Sequence, residues 1–197
     1  MDALEVLDRV KSEFAIDEHR VFLTGHSMGG HGTWHLGSLF PDQFAAIGPS
    51  AGWISFWSYR FRNLADTTDV RRMIRRSTTP SETFLHASNY KQLGVFVLHG
   101  ANDDNVPVTE ARSMVSRLDS LHQDYAYHEQ PGVGHWWDLS DAEGTDCVDW
   151  APMFDFFARH RRPLRDEVRA VSFTTANPGI SSRDQWVTVD AQHSQLT

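Results

Sequence analysis

The chain has 197 residues, of which 40% are hydrophobic and 12% aromatic, and its formal net charge is -8. This composition predicts one soluble unit large enough to bury a catalytic core, and the negative charge disfavours binding to nucleic acid. No apolar run approaches the roughly 20 residues that span a bilayer, so a membrane-spanning helix is excluded.

The first predicted element is an amphipathic helix over residues 2–14, in which Ala3, Leu7, Val10 and Phe14 share one face. No charged segment followed by an apolar one, as in a secretory signal peptide, precedes this predicted helix. We therefore expect the chain to begin inside a domain, so that the missing leader carries no information about the compartment.

A strand, a sharp turn and a helix follow, with a serine at the turn. Residues 20–24 form a short apolar run, the turn is Gly25-His26-Ser27-Met28-Gly29, and residues 31–40 have the pattern of a helix. Such a turn is typical of a nucleophile, because it forces an unusual dihedral at the serine and leaves no space for side chains at the flanking glycines. Ser27 is therefore the candidate nucleophile, and a chance pattern in a loop is the alternative.

A long insertion, from about residue 53 to residue 90, follows a second strand predicted at residues 45–49. Its first part is dense in aromatic residues: Trp53, Phe56, Trp57, Tyr59 and Phe61. These rings either line an acyl or aromatic pocket or fasten the insertion onto the core. Four arginines within residues 71–76 are interpreted as a solvated helix face, with capture of a substrate carboxylate as the alternative.

Two later strands end in residues suited to activate a serine. The strand predicted at residues 94–98 leads to an acidic turn that carries Asp103 and Asp104, and the strand at residues 125–129 leads to a glycine-rich loop that carries His135. A nucleophilic serine needs a base and a carboxylate that orients this base. The order of Ser27, the acidic turn and His135 is the one found in α/β-hydrolases.

Trp136 and Trp137 adjoin this histidine and are candidate pocket residues together with His26 and Trp53. The two tryptophans would exclude water from the cleft, although one of them is equally suited to a core contact. The single cysteine, Cys147, is interpreted as a packing residue, because Asp146 and Asp149 beside it would raise its pKa.

The last third of the chain changes character after Pro163. Residues 149–160 have the pattern of a helix with one apolar face and a basic end. Residues 167–175 and 185–190 alternate like strands around the turn Asn177-Pro178-Gly179, which predicts a small β appendage.

Together these stretches resemble the catalytic half of an α/β-hydrolase, in particular the prolyl oligopeptidase-like serine peptidases and related esterases. The resemblance covers about residues 1–162 and rests on three segments: Gly25-His26-Ser27-Met28-Gly29-Gly30, His99-Gly100 with Asp103 and Val106-Pro107, and Gly132-Val133-Gly134-His135. It implies a partial α/β-hydrolase fold, in which helices flank a mostly parallel sheet. It also implies that Asp103, rather than Asp104, is the acid and that the backbone N–H of Met28 lies in the oxyanion hole.

The resemblance further implies that part of the sheet is missing. Full hydrolases of this type resemble an eight-stranded sheet, so the amino-terminal strands and the loop with the second oxyanion-hole donor would be absent here. The strand before Ser27 would then be an exposed edge, through which we expect self-association. We expect a catalytic region at residues 1–162 and an incomplete β-rich segment at residues 163–197.

The predicted function is that of a serine hydrolase that acts on a peptide or ester bond by acyl transfer, without a metal or cofactor. The alternatives are a carboxylesterase of the feruloyl or acetyl type and a noncatalytic hydrolase-like fragment. A metal site is the weakest interpretation: His31 and His35 have ligand spacing on a helix, but Gly32 replaces the glutamate of the zinc-protease motif.

Overall fold

A computed structural model describes residues 3–60 and 68–194 of the chain. Phe61 of the predicted aromatic group therefore lies outside the described residues, as does part of the insertion. The main sheet contains β1 (Phe22–His26), β2 (Ala46–Ser50), β3 (Gly94–Gly100) and β4 (Tyr125–Gln130). The described helices are α1 (Ala3–Glu13), α2 (Met28–Leu39), α3 (Phe56–Tyr59), α4 (Asp69–Thr78), α5 (Thr109–Asp119), α6 (Asp146–Asp149) and α7 (Ala151–Ala158).

The four strands are parallel and lie side by side in the order β1, β2, β3, β4. The prediction of a mostly parallel sheet is therefore confirmed, and each of the four strands predicted between residues 20 and 129 overlaps an observed one. Because all strands run the same way, their carboxyl ends meet at one rim of the sheet. His26 pairs with Ser50 at this rim, and Gly100 pairs with Gln130.

Helices cover both faces of the sheet, which explains why its inner strands are continuous apolar runs. Val97 of β3 belongs to a cluster with Trp34 of α2 and Met114 of α5. The preceding residue, Phe96, belongs to a second cluster that contains Met153 of α7. Neighbouring residues of one strand thus serve opposite faces, as the twofold alternation of a strand requires.

The outer strands are less protected than the inner ones. Every residue of β2 and β3 is buried, whereas the residues of β4 are half-buried, and β1 is half-buried with one exposed residue. Within residues 3–60 and 68–194, β1 pairs with β2 alone. The strand that leads to Ser27 is therefore a sheet edge in the described part of the chain.

The carboxyl-terminal segment is only partly what its alternation predicts. Residues 167–175 form no strand, and the predicted strand at residues 185–190 is reduced to β6 (Val187–Thr188), which pairs antiparallel with β5 (Arg183–Asp184). Alternation failed here because this segment is fixed by polar contacts to the body of the protein. The Asn89 side chain, for example, donates to the carbonyl of Thr174 and accepts from its backbone N–H, at 2.7 and 2.8 Å.

No helix among the described residues is both long enough and apolar enough to cross a membrane.

Candidate active site

Ser27 lies at the turn between β1 and α2 with a backbone conformation that side chains rarely adopt. Its φ is 60° and its ψ is -115°. The turn is held on both sides, because the Ser27 N–H donates to the Ser50 carbonyl at 2.9 Å and the Ser27 carbonyl accepts from His31 N–H at 3.0 Å. A strained residue persists only where its surroundings fix it in this way, and such residues concentrate at functional sites.

The glycines around Ser27 have different roles from those predicted. A Cβ at Gly25 would lie 2.6 Å from the backbone of Gly29, so the lack of space at position 25 is as expected. A Cβ at Gly29 would meet nothing within 4 Å, and the prediction that this position is crowded is wrong. The crowded position is Gly30, whose Cβ would lie 2.3 Å from the Ser50 carbonyl oxygen, because α2 packs directly on the end of β2.

The structure brings Ser27, His135 and Asp103 together at the carboxyl rim. His135 Nε2 lies 2.9 Å from Ser27 Oγ, and His135 Nδ1 lies 2.8 Å from Asp103 Oδ2. The loops that carry the histidine and the aspartate are joined, since Asn102 N–H donates to the Val133 carbonyl at 2.8 Å. The three side chains therefore form one hydrogen-bonded row, although they come from three separate loops.

Asp103 is held as a charged acceptor. Its Oδ1 accepts the backbone N–H groups of Asn105 and Val106 at 2.9 and 2.8 Å. Burial alone would raise the pKa of Asp103, but its hydrogen bonds with His99 and His135 and with the backbone outweigh burial and lower this pKa to about 2. The neighbouring Asp104 is exposed and makes no hydrogen bond with the row.

His99 is a residue of this site to which the sequence analysis gave no role. It is buried, and its Nε2 lies 3.2 Å from Asp103 Oδ2 and 2.9 Å from the Val106 carbonyl. Because the carbonyl can only accept, Nε2 carries the proton, and His99 supplies a second donor to the carboxylate. Its position near the end of β3, four residues before Asp103, is the sequence feature that could have indicated this role.

His26 lies against the base but makes no hydrogen bond to the serine hydroxyl. Its ring centroid is 4.7 Å from that of His135 and 4.3 Å from that of Trp136. Its Nδ1 lies 3.1 Å from Ser50 Oγ, which donates to the Cys147 carbonyl at 2.5 Å. Burial, reinforced by the nearby His135, lowers the pKa of His26 to about 4, so this ring is neutral at neutral pH.

The predicted pocket residues divide into exposed and buried ones. Trp136 is 66% exposed beside the base, and Met28, next to the serine, is 75% exposed. Trp137 is only 6% exposed and packs on Trp150 in the cluster that includes Cys147, which favours the alternative of a core contact for this residue. The two adjacent tryptophans thus differ in burial, one exposed beside His135 and the other packed in the core.

Trp53 fastens the insertion to α2. Its ring stacks on His31 at 4.8 Å and on Tyr59 at 4.7 Å, and it is 7% exposed. Its carbonyl also accepts a hydrogen bond from His31 Nδ1 at 2.9 Å. The structure thus favours the fastening interpretation over a pocket wall for this residue.

The arginines of α4 are not a plain solvated face. Arg71 lies over the ring of Trp57, with 4.4 Å between the guanidinium carbon and the ring centroid, and Arg72 pairs with Asp69 on the same helix. Cation–π contact of this kind holds α4 against α3. The helix therefore also has a packing role.

Cys147 is buried within the core cluster, as expected for a packing residue. Burial raises the pKa of its thiol first of all, and the carboxylates of Asp138 and Asp149 add to this. The Asp146 carboxylate instead accepts from Leu139 N–H and Ser140 Oγ at 2.9 and 2.8 Å. Of the two carboxylates predicted to raise the pKa of the thiol, Asp149 does so, whereas Asp138 takes the place of Asp146.

His31 and His35 do face the same way on α2, with 6.0 Å between their ring centroids. Nevertheless, His31 Nδ1 is directed at the Trp53 carbonyl. In the part of the chain that the structure describes, no group of three histidine, cysteine or acidic side chains is arranged to hold a metal ion.

Comparison with known proteins shows the family of this chain and supports its fold. The sequence profile of the prolyl oligopeptidase family matches residues 1–162. An "Uncharacterized secreted protein" of Arthroderma benhamiae is 34% identical over 117 residues, which are 58% of this chain and 13% of the relative. The "Probable carboxylic ester hydrolase LipM" of Mycobacterium tuberculosis is 30% identical over 150 residues, which are 65% of this chain and 35% of the relative. The chain thus spans much less than the length of either relative.

Among solved structures, a puromycin-hydrolyzing peptidase of Mycobacterium tuberculosis is similar to this chain with a TM-score of 0.58 at 22% sequence identity. The match covers 68% of this chain and 21% of the peptidase. Identity at this level establishes the fold alone, and the predicted partial α/β-hydrolase fold is thereby confirmed.

Proposed function

We propose that this chain, which belongs to the prolyl oligopeptidase family, is a serine hydrolase that cleaves an ester or peptide bond by acyl transfer. The observation that carries the proposal is the hydrogen-bonded row at the carboxyl rim. In this row, His135 lies 2.9 Å from the Ser27 hydroxyl on one side and 2.8 Å from the Asp103 carboxylate on the other.

In the first step, His135 Nε2 takes the proton of Ser27 Oγ while this oxygen attacks the carbonyl carbon of the substrate. Asp103 accepts from Nδ1–H, which fixes the tautomer and stabilises the imidazolium that forms. The proton then passes from Nε2 to the leaving alkoxide or amine. The second donor to Asp103, from His99, keeps the carboxylate charged throughout.

In the second step, water attacks the acyl-serine while His135 accepts its proton. The bond between the acyl carbon and Ser27 Oγ then breaks, the imidazolium returns the proton to this oxygen, and the carboxylic acid leaves. The negative oxygen that forms in both steps needs donors, and we assign one of them to the backbone N–H of Met28. Met28 is the first residue of α2, where the backbone N–H has no acceptor within the helix and the helix dipole favours negative charge. One such donor contributes about a hundredfold to a thousandfold in rate.

We assign the acyl side of the substrate to the apolar surface around the serine. The Met28 side chain lies on one side of Ser27, and Trp136 stands beside His135 with a ring distance of 5.8 Å. Both are large and exposed, and they adjoin the nucleophile and the base in sequence. They supply apolar contact area without a charge, which suits an acyl group or an uncharged side chain.

An ester is the first substrate class to test. A relative named as a carboxylic ester hydrolase aligns over 65% of this chain and supports this choice, while the family name supports a peptide bond. Short 4-nitrophenyl esters compared with aminoacyl 4-nitroanilides distinguish the two, since they share the chromophore and differ in the bond that breaks.

The test of the proposed function is covalent labelling with a fluorophosphonate. We expect the wild-type protein to be labelled at Ser27, the Ser27→Ala variant to remain unlabelled, and the His135→Ala variant to react at least about a hundredfold more slowly. Ser77→Ala is the matched control, because Ser77 lies on α4 and bonds only within its own helix.

The competing hypothesis is a noncatalytic hydrolase-like fragment. A folded wild-type protein that resists the phosphonate, or one labelled equally in the Ser27→Ala variant, would favour the fragment and exclude the proposed mechanism. Circular dichroism of each sample establishes that it is folded.

We also propose that the outer edge of β1 pairs with β1 of a second copy. The support is that β1 pairs with β2 alone in the described ranges and is half-buried over most of its length. Unpaired apolar edges recruit strands. Sedimentation over a range of concentrations should show a reversible dimer, and a monomer at every concentration would contradict this proposal.

The extent of the two units is likewise a proposal: a hydrolase region at residues 1–162 and an appended segment at residues 163–197. The family profile matches the first of these ranges.

A further inference from the structure

A cavity of about 420 Å³ lies between the carboxyl-terminal hairpin and the body of the protein. Its lining includes Asp42, Arg162, Arg165, Arg183, Gln185 and Trp186. Three of these residues are arginines, in a chain whose net charge is -8. A local excess of positive charge in an acidic protein is therefore the feature to explain.

The cavity is far from Ser27. The Arg162 N–H donates at 2.8 Å to the carbonyl of His19, which precedes β1, and Asp42 lies in the turn before β2. These residues mark the amino ends of the strands, whereas Ser27 follows the carboxyl end of β1. A five-residue strand is about 17 Å long, so the cavity and the serine lie at opposite rims of the sheet.

The walls of the cavity are held in place before any ligand arrives. Arg162 Nε donates to the Glu18 carbonyl at 3.1 Å, and its Nη1 donates to the carbonyl of Asp42. On the opposite wall, the Gln185 N–H donates to Asp42 Oδ2 at 3.1 Å, and Ser181 Oγ donates to the Leu39 carbonyl at 2.5 Å. The hairpin is thus fixed to the body of the protein at several points.

Three arginines face one carboxylate, that of Asp42, in the lining of the cavity, so positive charge is in excess there. Arg165 and Arg183 are exposed, and over residues 3–60 and 68–194 neither they nor Arg162 forms an ion pair with a carboxylate. The one acidic side chain of the lining, Asp42, has its oxygens occupied by Gln43 Nε2 and the Gln185 N–H. Guanidinium groups that form no ion pair with a carboxylate are suited to bind an oxyanion, because their planar N–H groups can donate two parallel hydrogen bonds to its oxygens.

The tip of the hairpin adds a flat apolar surface. Gln185 and Trp186 connect β5 to β6, and Gln185 has a φ of 53°, which is costly for a residue with a side chain. This conformation places Trp186 in the cavity wall with 45% of its surface exposed. An exposed indole beside unpaired arginines offers stacking and charge together.

We propose that this cavity is a second binding site, for an oxyanion carried on a flat ring. The carboxylate or phosphate group binds to Arg165 and Arg183, and the ring stacks on Trp186. Carboxylate and phosphate share this chemistry, so the test includes both. The site is separate from the hydrolase rim, and a ligand bound there leaves Ser27 free.

Isothermal titration of the protein with benzoate and with phenyl phosphate tests the proposal, with inorganic phosphate and benzyl alcohol as partial ligands. We expect both ring-bearing anions to bind more tightly than either partial ligand. Arg165→Gln and Arg183→Gln should each weaken binding about tenfold, as expected for a charge-assisted hydrogen bond, and Trp186→Ala about fivefold. Affinity should also fall as salt is raised.

Arg76→Gln is the matched control, because it removes the same charge from an exposed position on α4 and should change binding less than twofold. Equal weakening in this variant, or no binding of any anion by the wild-type protein, would overturn the proposal. If inorganic phosphate binds as tightly as phenyl phosphate, the part of the proposal in which a ring stacks on Trp186 is contradicted. Phosphonate labelling of Ser27 should be unchanged in every variant, so this test is independent of the hydrolase proposal.

Discussion

The two rims of the central sheet are built in different ways. At the carboxyl rim, Ser27, Asp103 and His135 each lie in a turn or loop that follows a strand, and backbone groups hold Ser27 and Asp103 directly. At the amino rim, segments far apart in sequence are joined by several hydrogen bonds that involve side chains, such as the one from Arg162 to the carbonyl of Asp42. The carboxyl rim should therefore be sensitive at the residues that form or hold the row and tolerant at their neighbours, whereas the amino rim distributes its support over several contacts.

The largest expected effect is at the acid of the carboxyl rim. Asp103→Asn should lower kcat/KM about 10⁴-fold, because an amide nitrogen or a neutral oxygen replaces the carboxylate that fixes the tautomer of His135. Asp104→Asn should change kcat/KM less than about threefold, since that carboxylate is exposed and its effect is screened by solvent. Steady-state kinetics on the better substrate of the ester and anilide pair measures both.

If Asp103→Asn and Asp104→Asn lower kcat/KM by similar factors, Asp103 is not the one carboxylate that orients His135. That result would weaken the contrast between a tightly specified rim and a tolerant one.

The next effect concerns the packing of α2 against β2. Gly30→Ala should lower the free energy of unfolding by about 2 to 3 kcal/mol, because the new Cβ would lie 2.3 Å from the Ser50 carbonyl oxygen. Gly29→Ala should leave stability unchanged or raise it by at most about 1 kcal/mol, since alanine favours the helix and nothing lies within 4 Å. Urea unfolding of both variants tests the pair, and equal destabilisation would contradict it.

A smaller effect is expected from pH. Burial lowers the pKa values of His26 and His35 to about 4 from their usual 6.5. The unfolded chain therefore binds more protons than the folded one between these values. The free energy of unfolding should be constant with respect to these groups well above pH 6.5 and should decrease as the pH falls to 5. Taken in full, the two shifts would remove about 4 kcal/mol at pH 5, about 2 from each ring. Because both rings are partly exposed and their charges are screened by solvent, we expect about half of this, roughly 2 kcal/mol.

Urea unfolding at a series of pH values measures this slope. His26→Gln should reduce it, whereas His193→Gln, at an exposed position near the carboxyl terminus, should leave it as in the wild type. A slope that does not respond to the loss of His26 would contradict the buried, neutral state of this ring.

The smallest effect is expected at the amino rim. Gln185→Gly should raise the free energy of unfolding by at most about 1 kcal/mol, because glycine adopts the φ of 53° without steric cost. Hydrolysis should be unaffected, since the hairpin is at the far end of the sheet. Thermal unfolding measures the gain, and a loss of stability or of activity would show that the two rims are coupled.

The sequence was sufficient to predict the elements of the carboxyl rim for physical reasons. Apolar runs at residues 45–49 and 94–98 are long enough to indicate buried parallel strands. The motif around Ser27 predicts its own local structure, because it is typical of a strand, a sharp turn and a helix in succession. The conformation observed at Ser27 agrees with this interpretation, and its catalytic role stays a prediction.

What could not be predicted depends on contacts between distant segments. Gly30 is crowded by the end of β2. Because the sequence motif around Ser27 contains no information about this contact, it predicts crowding at Gly29 instead. The donor role of His99 depends on how the turn after β3 folds back onto the strand. Residues 167–175 alternate in polarity, yet they pair with no strand, and the backbone of Thr174 is hydrogen-bonded instead to the side chain of Asn89.

Ser50 has a consequence for how this protein would lose its reactivity. Its carbonyl accepts from the Ser27 N–H, while its hydroxyl joins His26 to the Cys147 carbonyl. One residue thus ties the nucleophile, the neighbour of the base and the start of α6 to the end of a fully buried strand. Gradual heating should therefore inactivate the protein in a single step, at the temperature where amide protons of β2 begin to exchange with deuterium.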